Sequence, residues 1–338
     1  MQQIVITKFG GPEVLKLEER PDQQADSGIV VIRVKAAGVN FADILARKGL
    51  YPDAPPTPCV VGYEVAGEIM SVGAGVEGMQ IGQPVVALTR FGGYADCVRV
   101  PQEQVFPKPA ALSFEEAAAV PVAYLTAYQL IMVMGALRPE EAVLIHNAGG
   151  GVGLASLDLA KKIGAKTYGT ASAHKHDFLR QRGLDFPIDY RNRDWRKELL
   201  ALTEGRGVEL VLDAFGGSHF RKSYKVLRSS GRLGMYGISS ATQSRLAGGL
   251  RLLQNVVQMP LFSPVALMNR NRSVFGVNLG HMWHEREKVR HWLLEILQGV
   301  AQGWARPHVD KVFALSEAGE AHAYIEARRN TGKVLLRP

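Results

Sequence analysis

The sequence predicts an α/β protein in two parts: a glycine-rich, partly open β-barrel and a doubly wound sheet of six parallel strands. Three observations carry that expectation. Residues 1–100 alternate short apolar stretches with glycine and proline turns, the pattern of small antiparallel strands. From residue 142 onward, candidate strands and helical patterns alternate, as in a parallel sheet covered on both faces. At the junction stands Ala142-Val-Leu-Ile-His-Asn-Ala-Gly-Gly-Gly-Val-Gly153. It reads as a short buried strand, a glycine turn and the first turn of a helix, which is how a dinucleotide-binding βαβ unit opens. The 338 residues suffice for two domains. The expected divisions are 1–122 for the first part of the barrel domain, 123–278 for the nucleotide domain and 279–338 for a return segment that completes the barrel.

In chain order, residues 4–7, 15–17 and 29–34 read as strands, separated by Gly10-Gly11-Pro12 and Asp26-Ser27-Gly28. Asn40 sits at a loop-to-helix junction, with a short helix over 43–47. Pro55, Pro56 and Pro58 enforce an extended loop. Residues 60–69 read as a strand whose Gly62 and Gly67 make close backbone contacts, and 85–88 and 94–100 as two more. Ser113-Phe-Glu-Glu116 is a capping box, followed by helix over 117–119, an interruption at Pro121 and helix again over 124–134. The six parallel strands fall at 142–147, 167–171, 186–189, 208–213, 232–237 and 273–278, in the order 3-2-1-4-5-6. Residues 246–257 are helical by pattern. Residues 259–268 are apolar, suited either to a pocket wall or to core packing. A helix over 285–302, an extended stretch over 308–314, a helix over 316–328 and a strand over 333–336 close the chain.

Each small residue of the glycine turn has an expected task. Ala148 stands where a first glycine would allow the tight turn, Gly150 lets backbone amides approach a pyrophosphate, and Gly153 lets the helix pack on its strand. With Gly151 and Val152 they bring the phosphates to the helix N-terminus, where unpaired amides and the helix dipole favour anions. An NAD site would carry an acid about 20 residues further on, bonding the ribose 2′-hydroxyl. The second strand instead runs into Ser172 and Lys175, with Arg180 and Arg182 beyond. Serine and lysine suit a 2′-phosphate, so NADPH is the expected cofactor.

Composition sets the class. Hydrophobic residues are 46% and charged residues 21%, ordinary for a water-exposed globular protein. No apolar run approaches the roughly 20 residues of a membrane span, and the N-terminus lacks a signal-peptide core, so a cytoplasmic protein is expected. Two cysteines, Cys59 and Cys97, make neither a disulfide framework nor a zinc cluster. The net charge of +8 (40 basic less 32 acidic) suits an anionic cofactor or nucleic acid. Arg191, Arg193, Arg196 and Lys197 cluster, but no basic stripe alternates with aromatics and no RNA-binding motif occurs. A nucleic-acid partner is therefore disfavoured.

Together, Gly38-Val-Asn-Phe-Ala-Asp43, Gly49-Leu-Tyr-Pro52, Gly62-Tyr-Glu-Val-Ala-Gly67, Phe91-Gly-Gly-Tyr-Ala-Asp96, Ala148–Gly153 and Thr331-Gly-Lys-Val-Leu335 resemble the medium-chain dehydrogenase/reductase superfamily. The match is to its quinone-oxidoreductase (zeta-crystallin-like) branch, with Asp158 where that branch usually has Gln. Asn271-Arg-Ser-Val-Phe-Gly-Val-Asn-Leu-Gly280, Arg306-Pro-His-Val-Asp310 and Asn330–Leu336 look most like its vesicle-amine-transport-protein-like subgroup. The resemblance implies a GroES-like catalytic domain joined to a Rossmann domain. It also implies that Asn40 and Tyr51 border the nicotinamide, that Tyr190 lies near the 2′-phosphate, and that Thr126, Gly237, Phe275, Asn278 and Lys333 line the cofactor. Zinc-dependent members place Cys and His where this chain has Asn40 and Tyr63; neither supplies a thiolate or imidazole, so no catalytic zinc is expected. The remaining histidines form no ligand pattern in sequence, and a lone strand histidine such as His146 is ordinarily packed.

Hydride delivery to a quinone or enone develops negative charge on oxygen, which needs hydrogen-bond donors rather than a strong base. Asn40, Tyr51 and Tyr63 are the candidates; Tyr63 as a plain packed tyrosine stays open. The leading function is zinc-independent, NADPH-dependent reduction of a small-molecule quinone or α,β-unsaturated carbonyl. A 2-enoyl thioester reductase is the neighbouring alternative, and an NADPH-binding RNA- or protein-interaction protein the non-enzymatic one. The sixth strand is short, apolar and at the sheet edge, so a homodimer is expected there.

Overall fold

A computed structural model of the chain describes residues 1–242 and 257–338. The chain divides into two compact units, Met1–Leu125 with Leu279–Pro338, and Thr126–Asn278.

In the discontinuous unit, β1 (Gln2–Ile6) and β2 (Leu15–Glu19) form an antiparallel pair. Its larger sheet uses β3 (Ile29–Val39), β4 (Glu64–Val72), β5 (Pro84–Leu88), β6 (Cys97–Pro101) and β7 (Val105–Pro107), together with β14 (Val309–Ala314) and β15 (Lys333–Arg337) from the far end of the chain. The strand order is β14-β15-β3-β4-β5-β7, with β6 also on β3. Alternating Ile32, Val34, Val65, Ile69, Val85, Val105 and Leu336 turn inward and are buried together. A Cβ at Gly67 would lie 2.0 Å from the Arg33 carbonyl oxygen, so only glycine lets β3 and β4 approach at their register shift. The strand expected over 60–69 begins four residues later, because Gly62 takes φ +105° and leaves the extended path.

The second unit holds β8 (Ala142–Ile145), β9 (Lys166–Ala171), β10 (Phe186–Asp189), β11 (Val208–Asp213), β12 (Leu227–Met235) and β13 (Ser273–Gly276). They pair in parallel in the order β10-β9-β8-β11-β12-β13, the doubly wound 3-2-1-4-5-6 arrangement. β8, β11 and the middle of β9 are buried on both faces, which explains their unbroken apolar runs. The Ser113 capping box forms: Ser113 Oγ accepts from the Glu116 amide at 3.1 Å, and the Glu116 carboxylate accepts from the Ser113 amide at 2.9 Å.

Three elements depart from pattern. Pro121 does interrupt the helices, but it also opens the second, Pro121–Tyr128, a position proline tolerates. That helix then widens into π geometry over Gln129–Val133. The carbonyls just beyond its end, of Gly135 and Ala136, accept from Arg232, contacts 97 and 96 residues distant that a local period does not reveal. The apolar stretch 259–268 is not wholly core. It leads into the helix Pro264–Arg270; Phe262 and Leu267 pack on the core while Leu261, Val265 and Met268 are exposed. The expected helix over 246–257 lies, apart from its last residue, outside the described residues.

Candidate active site

In the discontinuous unit, Asn40 precedes the helix Phe41–Arg47, and its backbone amide donates to Asp43 at 2.8 Å. Its side chain is held at both ends. Nδ2 donates to Glu64 Oε1 at 2.9 Å, and Oδ1 accepts from Lys333 Nζ at 2.8 Å. Lys333 also donates to Glu64 Oε1 at 2.6 Å and to the Val39 carbonyl at 3.2 Å, and the second Glu64 oxygen accepts from the Val122 amide at 2.7 Å. An ammonium has three protons, and all three are engaged. Lys333, expected along the cofactor, is therefore occupied in orienting Asn40. The Asn40 amide keeps one N–H for a ligand.

Tyr63 is 7% exposed and its hydroxyl makes no hydrogen bond of good geometry. Its ring packs edge-on to Tyr51, centroids 6.3 Å apart, and tilted against Phe91 at 5.2 Å. Burial, reinforced by the Asp43 carboxylate and the neighbouring Tyr51, raises its ionisation far above the ordinary phenol range, so it stays a donor at every working pH. An orphaned buried hydroxyl costs stability; it marks a place where an acceptor belongs. Asp43 is fully buried and accepts from the Gly62 amide at 3.0 Å and the Tyr94 hydroxyl at 3.1 Å. Burial pushes it up to about 7 against those bonds. Tyr94 in turn bonds His322 at 2.9 Å. These groups are spent on one another beneath the site.

Tyr51 and Tyr63 open onto a cavity of about 240 Å³, completed by Asp53, Arg90, Phe91, Gly280, His281, Trp283 and His284. His281 bonds Asp53 at 2.7 Å. No thiolate or imidazole among the described residues bonds Asn40 or Glu64; the cation those side chains hold is Lys333, so this set does not fit catalytic zinc. Among the described residues, His146, Asp213 and His219 bring potential ligand atoms within 4.8 Å in the other unit. Each is already committed: His146 to Thr170 at 3.0 Å and Ser223 at 3.2 Å, Asp213 to His219 and Ser223, both at 2.6 Å. Burial drives His146 down to about 3, leaving it neutral, and Trp195 and Phe215 pack around it. It is a packed histidine in a hydrogen-bonded core.

In the nucleotide-type unit, the turn after β8 is made by Asn147 at φ +53°, not by the residue after it; asparagine tolerates that left-handed conformation. Ala148 is fully buried, and a Cβ at Gly169 would lie 2.8 Å from the Ala148 Cβ. The alanine in the first fingerprint position is thus accommodated by a glycine on β9. A Cβ at Gly153 would fall 2.3 Å from the Asn147 carbonyl oxygen, and one at Gly150 2.6 Å from Asn147 Nδ2. The helix Gly151–Ile163 makes its first internal bond from Leu154 to Gly150. The amides of Gly151, Val152 and Gly153 therefore precede the ladder, facing an anion-binding end. Lys175 is buried with its stem across the turn: a Cβ at Gly149 would meet its Cδ at 3.0 Å and its Nζ at 4.0 Å. This glycine cradle with a lysine laid over it fits a dinucleotide phosphate.

The other expected residues divide. Ser172 is buried at the end of β9, and Thr126 is 9% exposed. Gly237 follows β12, and a Cβ there would lie 2.8 Å from the Ala214 carbonyl oxygen. The Phe275 ring on β13 lies over Gly234, and Asn278 is exposed just beyond β13. The glycine turn, Ser172, Gly237 and Asn278 thus gather at the C-terminal ends of the parallel strands, where such sheets bind ligands. Tyr190 bonds its neighbour Arg191. Arg182, beyond Ser172 and Lys175 in the sequence, grips Asp158 with two bonds of 3.0 Å. Arg180 pairs with Asp177, and within the basic cluster Arg193 pairs with Glu198 and Arg196 with Asp194. Sequence reasoning missed Glu64, Arg90 and the 280–284 segment. Only Glu64, inside Gly62-Tyr63-Glu64, carried a local signal.

Comparison with known proteins agrees with this fold. A family model described as alcohol dehydrogenase GroES-like domain matches residues 26–110, and one described as zinc-binding dehydrogenase matches 182–336. The human synaptic vesicle membrane protein VAT-1 homolog is 37% identical over 338 residues, covering 99% of this chain and 86% of its own length. Among solved structures, Escherichia coli quinone oxidoreductase complexed with NADPH superposes with a TM-score of 0.88 at 30% identity, covering all of both chains. An NAD-dependent alcohol dehydrogenase gives 0.85 at 32% with full coverage of both chains, and the CurK enoyl reductase 0.85 at 28%, covering 99% of this chain and 98% of its own.

Proposed function

The chain belongs to the medium-chain dehydrogenase/reductase superfamily, in its zinc-free quinone-oxidoreductase branch and VAT-1-like subgroup, and from that premise we propose that it is an NADPH-dependent reductase of a quinone or α,β-unsaturated carbonyl. The observation that carries the reading is the unpartnered Tyr63 hydroxyl in an aromatic-walled cavity. NADPH, when bound, supplies the hydride. The chain's residues supply the rest. Gly150 to Gly153 receive the phosphates on backbone amides, and Ser172 and Lys175 take the 2′-phosphate. Thr126, Tyr190, Gly237, Phe275 and Asn278 flank the cofactor. The spare Asn40 N–H and the Tyr63 hydroxyl donate to the oxygen that gains charge, while Tyr51 and Phe91 keep water from it. Because Tyr63 ionises so far above neutrality, it stabilises the oxygen without surrendering its proton, which comes from solvent.

Lys175→Ala is expected to weaken NADPH binding about ten-fold or more, roughly 1.5–3 kcal/mol for a lost charge-assisted contact, and to leave NADH binding almost unchanged. Titration with both cofactors measures it; equal losses would assign Lys175 a structural task and remove the basis for the NADPH preference. Turnover itself is read by NADPH oxidation against quinones, enones and a 2-enoyl thioester. Reduction of the thioester alone would favour the acyl-carrier reading that the enoyl reductase neighbour suggests. NADPH binding with no turnover would favour an interaction protein. Among the described residues no helix is long and apolar enough to cross a membrane, and the VAT-1 relatives are named as vesicle membrane proteins. A cytoplasmic location stays part of this proposal.

The proposal includes a homodimer through β13, the last strand of its sheet. The Val277 amide bonds Met235 on β12, so by the two-residue period the amides of Val274 and Gly276 face the open edge. Val274→Pro removes one of those donors. Light scattering is expected to show a dimer for the wild type and a monomer for the variant; a monomeric wild type, or a fully dimeric variant, counts against this edge.

A further inference from the structure

We infer that the cavity selects a one- or two-ring quinone or aryl enone carrying an acidic substituent, with Arg90 as the anchor for the acid. This rests on the reductase reading above and names its substrate class. At about 240 Å³ the cavity falls below the roughly 300–1,000 Å³ of drug-sized ligand sites. It suits a compact conjugated ring system better than an extended acyl chain. Its walls are aromatic: Tyr51, Tyr63, Phe91 and Trp283, which favour planar guests through stacking and edge contacts.

Charge along the lining is unevenly spread. Tyr63 is buried, whereas Arg90, His281 and His284 are exposed. A guest with its carbonyl on the Tyr63 hydroxyl therefore extends its far side toward the exposed part of the lining, to which Arg90 belongs. Asp53, the sole acid of the lining, is bonded to His281 at 2.7 Å. Arg90 forms no ion pair with any described residue. A guanidinium presents a fork that matches a carboxylate or phosphate in two parallel bonds. A neutral guest leaves that fork to solvent; an acidic one occupies it.

The test compares 1,4-naphthoquinone with its 6-carboxylate as substrates of the wild type, Arg90→Gln and Arg90→Lys. It adds calorimetric binding of 2-naphthoate and 2-naphthol, which cannot be reduced by hydride. The wild type is expected to show a KM about three- to five-fold lower for the carboxylate, the order of one exposed charged contact. That ratio should fall close to one in Arg90→Gln and recover in part in Arg90→Lys. Binding should follow the same order, naphthoate above naphthol only where a cation stands at 90. Equal KM values in the wild type, or a preference that survives Arg90→Gln, overturn the inference while leaving the reductase reading in place. Naphthoate binding that depends on Arg90 without reduction of either quinone overturns the reductase reading and leaves the acid-binding site standing. Neither binding nor turnover overturns both.

Discussion

Lys333→Met is expected to lower the melting temperature by roughly 6–20 °C, since removing one member of a buried ion pair costs about 3–5 kcal/mol and a unit of this size loses about 2–4 °C per kcal/mol. Lys333 and Glu64 are 6% and 0% exposed along their side chains. Without the ammonium, Glu64 keeps two neutral donors, the Asn40 amide and the Val122 N–H, for a charge sealed from water. The Asn40 carbonyl would also lose its donor and the amide its fixed orientation, so turnover should fall too. Scanning calorimetry of the single variant and of Lys333→Met with Glu64→Gln separates the causes. The double variant, which removes both charges, should recover more than half of the loss. A single variant melting within about 2 °C of the wild type would mean the pair contributes little.

Tyr63→Phe is expected to lower kcat/KM roughly 10²-fold, the scale of removing one donor to a developing oxyanion. Two accompanying results distinguish this from a packing role. The melting temperature should stay level or rise, because the variant deletes a buried hydroxyl that has no partner. The pH–rate profile should keep its shape, because Tyr63 does not titrate in the working range. Activity within about two-fold of the wild type would remove Tyr63 from the mechanism.

Much of the fold was legible because it is written in local periods. The run Ala142–Ile145, the glycine cluster and the apolar spacing after it stand within one short stretch that ends at Ile163, and strand, turn and helix form there in that order. The Ser113 box is equally local. What a linear reading cannot reach are partners brought together by topology. Lys333 meets Glu64 across 269 residues. The cavity joins Tyr51, Tyr63 and Arg90 to a segment near residue 283. Arg182 turns to Asp158 because two elements of the sheet's cover face each other, and the carboxylate that breaks the family's usual pattern takes that arginine as its counterion. The size of the first fingerprint residue was likewise decided on another strand, at Gly169. The zinc positions were readable by residue type alone, because a thiolate or an imidazole is either present or absent.

The division of the barrel unit around the intervening sheet has a consequence for biosynthesis. A ribosome finishes residues 126–278 before it makes β15, the strand that pairs with β3. The nucleotide-binding half can therefore fold co-translationally, while the barrel half holds Glu64 without its cation until residue 333 is made. Closing so long a loop costs only slowly growing entropy, so the delay is kinetic rather than energetic. Nascent chains arrested before residue 333 should thus present a folded nucleotide domain and an open barrel, the state in which a chaperone would find this protein.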